Sequence, residues 1–507
     1  MLSTKPEAAE PIKDSALPSE EYARKALPSI LTTFDLLAIF VIAIFYITNA
    51  FTAAVYGPTA YIYWAVGGIT FFLPSVIATA QLGVMFPHEG SIYNWTHKIL
   101  GPYWGFFAGA CWWFPAPLIL VSAAVSMVTY IQGLNSGWLT EPWQQGLVII
   151  GVTIFSGIVG FQRTRTAQNI INAGAVLIIF ATLLLGVATL VWFLTGHTSA
   201  TSFAHASDYS VNAGNLGGYA LVVLAYLGSQ VPLNMGGEIA GNDERRGRLA
   251  ISRHLLWGSL IVIVCYLIAT TAPLVVLGAT KVATAGPFAL VATADTVFGK
   301  GIGNIVAILI MLFFPCSAIA YNVTFARVLF AGSVDRHLPM STGLLNKNRV
   351  PANAIMFQTL IGVVFAAVVF LIVPYIVKFD NPVNLSQEFY NVSLAVVAVD
   401  WALITIFFYV NLIALYRRNK RFFLERRIFP MPVIWFCCVI GPIGCLVTIA
   451  DGLYNSWTPL ISNVLWLIIV GGLVLTCFTL VGIGSMFATS EAAWQGLSQQ
   501  EDIAPRI

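Results

Sequence analysis

Asp400, in Ala398-Val399-Asp400-Trp401, stands about midway along a long apolar run, so its chemistry is that of a carboxyl removed from water. A charged carboxylate at the centre of a bilayer costs about 2.5–3.5 kcal/mol or more unless it is paired or protonated. Two roles fit. The carboxyl is neutral while buried and deprotonates when water reaches it, as a gate or proton-coupling group does, or it stays neutral and bonds a backbone carbonyl of a neighbouring helix.

A second kind of chemistry uses the backbone. Ala225-Tyr226-Leu227-Gly228-Ser229-Gln230-Val231-Pro232 puts a glycine, two polar residues and a proline near the middle of an apolar stretch. Gly228 loosens a helix, and Pro232 lacks the N–H that would hold the preceding turn. Thr48-Asn49-Ala50-Phe51-Thr52-Ala53, before Tyr56-Gly57-Pro58, is a polar group at comparable depth. Backbone freed inside a bilayer survives only in the protein interior or a wet cavity. At such breaks the amino ends of half-helices offer N–H groups to a carboxylate, and the carboxyl ends offer carbonyls to an ammonium or cation. An amino acid carries both charges. The residues expected to contact a substrate are therefore Thr48, Asn49, Thr52, Ala53, Tyr226, Gly228, Ser229 and Gln230. One Pro/Gly kink is ordinary in membrane helices; a matched pair at repeat spacing is not.

Other reactive side chains form no pattern in the sequence. The seven cysteines (Cys111, Cys265, Cys316, Cys437, Cys438, Cys445 and Cys477) fall inside apolar runs, without His partners at metal-ligand spacing, and read as small core residues. The six histidines are scattered over loops, and no glycine-rich phosphate loop occurs. No cofactor, bound metal, nucleic acid or covalent catalysis is expected, and neither is an ATP-driven pump.

The elements that must position these groups are twelve apolar runs: Phe34–Pro58, Tyr61–Phe86, Tyr103–Ile131, Gly146–Phe161, Ile170–Leu194, Leu216–Ala240, Leu255–Leu277, Gly303–Leu329, Ala352–Val377, Phe389–Tyr416, Met431–Asp451 and Ile461–Phe487, numbered 1 to 12 below. Most are near the ~20 residues that cross ~30 Å of hydrocarbon as a helix. Hydrophobic residues make up 58% of the 507, and charged residues 9% against about 25% in soluble domains, too few to coat a globule of this size. Sparse charge inside the runs excludes the alternation of a membrane β-barrel. Of the 25 Lys and Arg, all but Lys281, Lys300 and Lys378 fall in alternate gaps, which places both termini in the cytoplasm.

The expected fold is all-α integral membrane: twelve transmembrane helices in one domain over residues 34–487. Interruptions in runs 1 and 6, five runs apart, signal two inverted five-helix repeats, about 34–194 and 216–416, with two further helices at 431–487. Residues 1–33, with Pro6, Pro11, Pro18 and Pro28, are expected to be a mobile cytoplasmic tail, and residues 488–507 a flexible one. Asp35 and Asp451 at run ends, and Glu238 at the inner end of run 6, are expected to cap helices or pair with loop arginines. Glu238 is also kept with Asp400 as a coupling or gating candidate. In Trp112-Trp113-Phe114-Pro115, Trp113 is a candidate cavity wall, although aromatics in such helices also serve as packing or interfacial anchors.

Three segments resemble the amino acid–polyamine–organocation transporters, which include amino acid permeases and antiporters. Arg327-Val-Leu-Phe-Ala-Gly-Ser-Val-Asp335-Arg336-His-Leu338-Pro339, followed by Arg349-Val-Pro351, is similar to that family's stretch leading into run 9. Gly228 through Glu238 to Asn242, with Arg245-Arg246, is similar to its sixth helix and the acidic-Asn segment that ends it. This chain lacks the usual proline after the Asn and carries one extra residue before Ile251. Pro87-His88-Glu89-Gly90-Ser91-Ile92-Tyr93-Asn94-Trp95, then Leu100-Gly101-Pro102 and Trp104-Gly105-Phe106, resembles the family's connection from the second helix to the third. Departures are Phe51-Thr52-Ala53 where the family commonly has Gly-Ser-Gly, and Gln81 where an acidic residue often closes the second helix.

The resemblance implies an amino acid permease or exchanger, working by alternating access as runs 1, 2, 6 and 7 rock against the rest, driven by a proton gradient or an exchanged solute; sodium coupling stays open. It places Phe314-Pro315-Cys316-Ser317 and Tyr321-Asn322 of run 8 beside the site, with Ser317 the candidate contact. The partners implied are an amino acid or related amine, membrane lipid and protons, in the plasma membrane. A same-fold carrier of another nitrogenous solute, such as a polyamine or nucleobase, and a non-transporting membrane sensor remain the alternatives.

Overall fold

The computed structural model describes residues 16–212, 215–240, 244–376, 385–458 and 460–503. Tail residues 1–15, Asn242 and Lys378 lie outside the described residues. The architecture is all-helical, with no β-strand among the described residues, and eleven helices are long and apolar enough to cross a membrane. They match every run except the sixth, whose helix Gly218–Tyr226 is too short.

Burial sorts these helices into centre and periphery. The apolar window of Thr33–Ala54 (run 1) is 89% buried, and those of Pro102–Leu134 (run 3) and Glu388–Arg418 (run 10) are each 72% buried. Ala352–Ile376 (run 9) is only 17% buried and Thr164–Leu194 (run 5) 28%. A helix hydrophobic all round that protein does not cover must face lipid. Run 1 is thus wrapped by protein, and runs 5 and 9 form the rim.

Run 1 begins at a capping box in which Asp35 N–H donates to Thr32 Oγ1 at 3.3 Å and the Asp35 carboxylate accepts from Thr32 N–H at 2.9 Å. The helix Thr33–Ile44 then stops, Phe45 leaves the helical conformation and Tyr46 is extended, and a second helix spans Ile47–Ala54. The interruption therefore lies ahead of Thr48–Ala53, which form the second helix instead of the break. Asn49 N–H donates to Tyr46 carbonyl at 2.8 Å, and Thr52 Oγ1–H donates back to Asn49 carbonyl at 2.8 Å, so these polar residues satisfy one another inside a helix. In run 6, Leu227 turns extended and Gly228 takes φ +105°, which L side chains rarely adopt. A 3₁₀ turn Val231–Asn234 follows, with Pro232 in its first turn, and a second covers Gly236–Glu238.

Several short helices lie in stretches read as loops: Ile92–Leu100, Ala279–Ala285, Ala289–Phe298 and Lys420–Arg426. The expected tail is structured over Pro18–Ala26, a helix whose Ser19, Glu20 and Ala23 are buried. Ser19 N–H and Oγ–H both donate to the Asp335 carboxylate at 2.8 Å, and Glu20 accepts from Asn94 at 2.9 Å and Lys98 at 3.1 Å. Prolines at residues 18 and 28 bracket this helix; Pro18 is its first residue. At the other end, the helix Asn463–Ile503 runs on past residue 487.

Candidate functional site

The interruption in run 1 frees carbonyls that glycine cannot satisfy, and two tyrosines reach in to do so. Tyr321 Oη–H donates to Ala43 carbonyl at 2.6 Å. Tyr266 Oη–H donates to Ile44 carbonyl at 2.6 Å and accepts from Tyr46 N–H at 3.0 Å, while Ala225 carbonyl of run 6 lies 3.1 Å away. One hydroxyl from run 7 thus holds the break in run 1 against the last turn of the run 6 helix. The second break faces the first, since a Cβ at Gly228 would meet Ala43 carbonyl at 3.7 Å.

Between the breaks is a buried cavity of about 30 Å³, lined by Ala43, Ile44, Tyr46, Asn49, Ser122, Leu227, Tyr321 and Trp401 among others. That is room for a water molecule or so. Among the described residues, Tyr46 Oη and Ser122 Oγ have no hydrogen bond of good geometry. A smaller void of about 10 Å³ is lined by Thr48, Ser126, Tyr130 and Tyr390, with Thr48 Oγ1 and Tyr390 Oη 2.9 Å apart. Among the described residues, no charged side chain lines either space.

Of the residues expected at the site, Asn49 lines the central cavity and Thr48 its neighbour. Gly228, Ser229 and Gln230 form the second break. Ser229 Oγ lies 2.9 Å from Thr79 Oγ1, and Gln230 Nε2 is buried with no partner. Ser317 is buried near the Tyr46 hydroxyl, its own hydroxyl unpartnered, and lines neither space. Thr52 and Ala53 line neither. Tyr226 stacks on Phe72 at 4.4 Å, away from the cavity.

Trp113 also points elsewhere. Its indole donates to Gln358 Oε1 at 3.0 Å, its ring stacks on Phe357, and it lines a separate apolar groove of about 610 Å³. Its neighbour Trp112 packs against the cavity-lining Trp401, ring centroids 4.2 Å apart, and accepts Trp401 Nε1–H on its carbonyl at 3.1 Å. Consecutive helical residues face about 100° apart, so one step in sequence exchanges the two roles.

Asp400 lines neither space. It lies beside Cys477, Oδ1 to Sγ 3.8 Å, and together with Cys111 these groups present three ligand-type atoms within 4.8 Å. All seven cysteines are buried, as expected of small core residues, and Cys111 and Cys477 come together with Asp400 because runs 3, 10 and 12 converge in space. Oδ2 has no partner, and no backbone carbonyl is bonded to it. Glu238 is fully buried and accepts Arg327 Nε–H at 2.8 Å, its partner coming from the helix of run 8 instead of a loop. Asp35 pairs with Arg165 at 2.9 Å, and Asp451 accepts Ala220 N–H at 2.8 Å.

The histidines are less scattered than the sequence suggests. His254 lies within the helix Glu244–Val276, while His97 and His337 pack 5.3 Å apart beside Tyr93. Burial lowers His88, His97 and His337 to about 4. Burial raises Asp335 to about 6, against the hydrogen bonds from Ser19 and Tyr93.

Sequence reasoning missed Tyr46, Tyr266, Ser122 and Trp401, and placed Tyr321 beside the site only through the resemblance. The available signal was depth: Tyr and Trp concentrate at membrane interfaces, so Tyr266 and Tyr321 in mid-run needed buried partners.

Many apolar helices around a buried cavity define a multi-pass integral membrane protein. The chain belongs to the amino acid permease family, whose model matches residues 31–475. It is 25% identical to the serine/threonine exchanger SteT of Bacillus subtilis over 406 residues, 78% of this chain and 82% of that one. To the glutamate/serine transporter AimA of the same organism it is 25% identical over 338 residues, 62% of this chain and 60% of that one. A probable agmatine/putrescine antiporter of Lactococcus lactis, AguD, is 26% identical over 143 residues, 28% of this chain and 30% of that one. The function class is amino acid transport.

Proposed function

We propose that this protein is a secondary transporter of a small neutral amino acid, working by alternating access. The observation that carries the reading is the pair of facing breaks, with carbonyls of Ala43 and Ile44 on one side and the Gly228 turn on the other. A zwitterion suits them, because its ammonium meets carbonyls and its carboxylate meets free N–H groups. The cavity holds no acid to pair a second ammonium, which favours an amino acid over a diamine. Two relatives are named for serine, one together with threonine and one together with glutamate, while a third, matched over a shorter stretch, is named for agmatine and putrescine.

In this reading run 6 crosses the membrane as a broken helix, making twelve crossings in two inverted repeats, about 34–194 and 216–416, followed by helices at 431–487. Both termini are cytoplasmic, in the plasma membrane, as the distribution of Lys and Arg supports. A cavity of about 30 Å³ is far below the ~300 Å³ or more of ligand sites, so the structure corresponds to a collapsed state that opens before substrate enters. Thr48, Asn49, Gly228, Ser229 and Gln230 are the proposed contacts, joined by Tyr46, Ser122 and Trp401. A proton gradient or an exchanged solute supplies the driving force.

Counterflow into proteoliposomes preloaded with serine, threonine, glutamate or putrescine tests this. Accumulation of labelled serine or threonine is expected; transport of putrescine alone would overturn the zwitterion reading.

A further inference from the structure

Glu89, between runs 2 and 3, has no part in the substrate site, yet it is 1% exposed and neither carboxylate oxygen has a hydrogen bond of good geometry. It lies against the inner end of run 6, where a Cβ on Gly237 would come 2.9 Å from its Oε1. Glu238 is the acid beside it, and Arg327 the nearby cation. The guanidinium is already engaged, with Nε on Glu238, Nη1 on Val323 carbonyl at 3.2 Å and Nη2 near Thr164 Oγ1 at 3.5 Å. Two buried carboxyls thus share one guanidinium bonded to only one of them. A second unpaired carboxylate there would be an uncompensated buried charge.

This cluster sits on a backbone seam. Gly90 N–H donates to Asn234 carbonyl at 3.0 Å, Leu31 N–H to Glu238 carbonyl at 2.9 Å, and Ala240 N–H to Leu31 carbonyl at 2.8 Å. The end of run 6 is therefore clamped between the residue 86–91 segment and the lead-in to run 1. Opening the protein on this side must part the seam and let water reach Glu89.

We propose that Glu89 is a proton-binding site of this gate, carrying a proton while the seam is closed and releasing it to water on the same side when the seam opens. The inference rests on the alternating-access reading above. Burial first, then the Glu238 carboxylate, push Glu89 well above the usual carboxylate range, against Arg327 and the amides of Gly237 and Glu238. The closed form binds more protons, so rising pH on this side favours opening, by up to about tenfold per pH unit for one proton. The groups packed around the segment are accounted for: His88 faces Glu20 at 3.8 Å, Lys98 pairs with Glu20, and Asp335 is held by Ser19 and Tyr93. His88, at about 4, and Asp335, at about 6, titrate below the range that isolates Glu89.

The test is substrate exchange in oriented proteoliposomes, with pH varied from 7 to 8 only on the side that bears the N-terminal helix. Wild-type exchange is expected to rise severalfold, while Glu89→Gln, which keeps the shape of the protonated acid, should exchange at the slow rate with no slope. An exchanging wild type without a slope, or E89Q retaining it, would overturn the proposal. The infrared carbonyl band of a protonated carboxyl at neutral pH should be lost in E89Q relative to wild type, and an unchanged band would also overturn it. If wild type exchanges no substrate, the transport reading falls, while the infrared comparison still decides the protonation of Glu89.

Discussion

Replacing Tyr266 by Phe removes one oxygen from the place where runs 1, 6 and 7 meet. The ring keeps its contacts, stacked on Trp64 at 4.5 Å and edge-on to Phe45 at 4.8 Å. Two hydrogen bonds are lost, the donation to Ile44 carbonyl and the acceptance from Tyr46 N–H. A buried polar group left with no partner costs about 1–3 kcal/mol. Tyr46 N–H and Ile44 carbonyl keep an inverse γ-turn bond to each other at 2.9 Å, so the cost falls near the lower end, about 1–2 kcal/mol. That is a factor of about 5–30 in the population of the correctly broken helix. Thermal unfolding in detergent and the exchange rate in proteoliposomes should both fall. Tyr409→Phe is the matched control, since that hydroxyl is buried without a partner and its removal should be neutral or stabilising. If Y266F proves as stable and as active as Y409F, the hydroxyl does not hold the break and the reasoning fails.

Other outcomes follow from the same contacts. Arg327→Met leaves Glu238 and Glu89 buried without a cation and should cost about 3–5 kcal/mol, much of it restored by adding Glu238→Gln; equal melting of the single and double variants would contradict this. Asp400→Asn should leave exchange and its pH profile unchanged, because the carboxyl touches neither cavity nor seam, and a flattened profile would return the coupling role to it. Acidification should loosen the face that bears the N-terminal helix. His88, His97 and His337 have folded values near 4 against an ordinary 6.5, so the stability they contribute is present above 6.5 and lost as pH falls through about 4. Asp335, raised to about 6, acts oppositely but is one group against three. Hydrogen exchange over residues 18–27 should therefore quicken between pH 6 and 4, and unchanged protection would count against the docking described.

The class, a multi-pass integral membrane protein, was legible in the sequence because hydropathy is a property of whole runs. The break in run 6 was legible because Gly228 and Pro232 act locally on their own backbone. In run 1 the stop occurs at Phe45-Tyr46, two residues with no special backbone preference, because Tyr266 and Tyr321 supply hydrogen bonds from more than 200 positions away. No local rule can locate such a break. Trp113 was chosen over Trp112 because the sequence does not reveal which way a fully apolar helix is turned. Glu89 looked like a loop charge, and Glu238 like a run-end acid that caps, pairs with loop arginines or gates, until the fold put both against Arg327.

The central claim, that an amino acid passes between the two breaks, is tested most directly by counterflow with a variant that fills the space between them. Gly228→Val adds a branched side chain where φ is +105° and where a Cβ already meets Val231 Cγ2 at 3.5 Å. Wild-type protein should accumulate labelled serine or threonine against preloaded substrate, and folded G228V should lose at least tenfold of that rate. Full counterflow by G228V, or none by wild type for any amino acid or amine, would contradict the account.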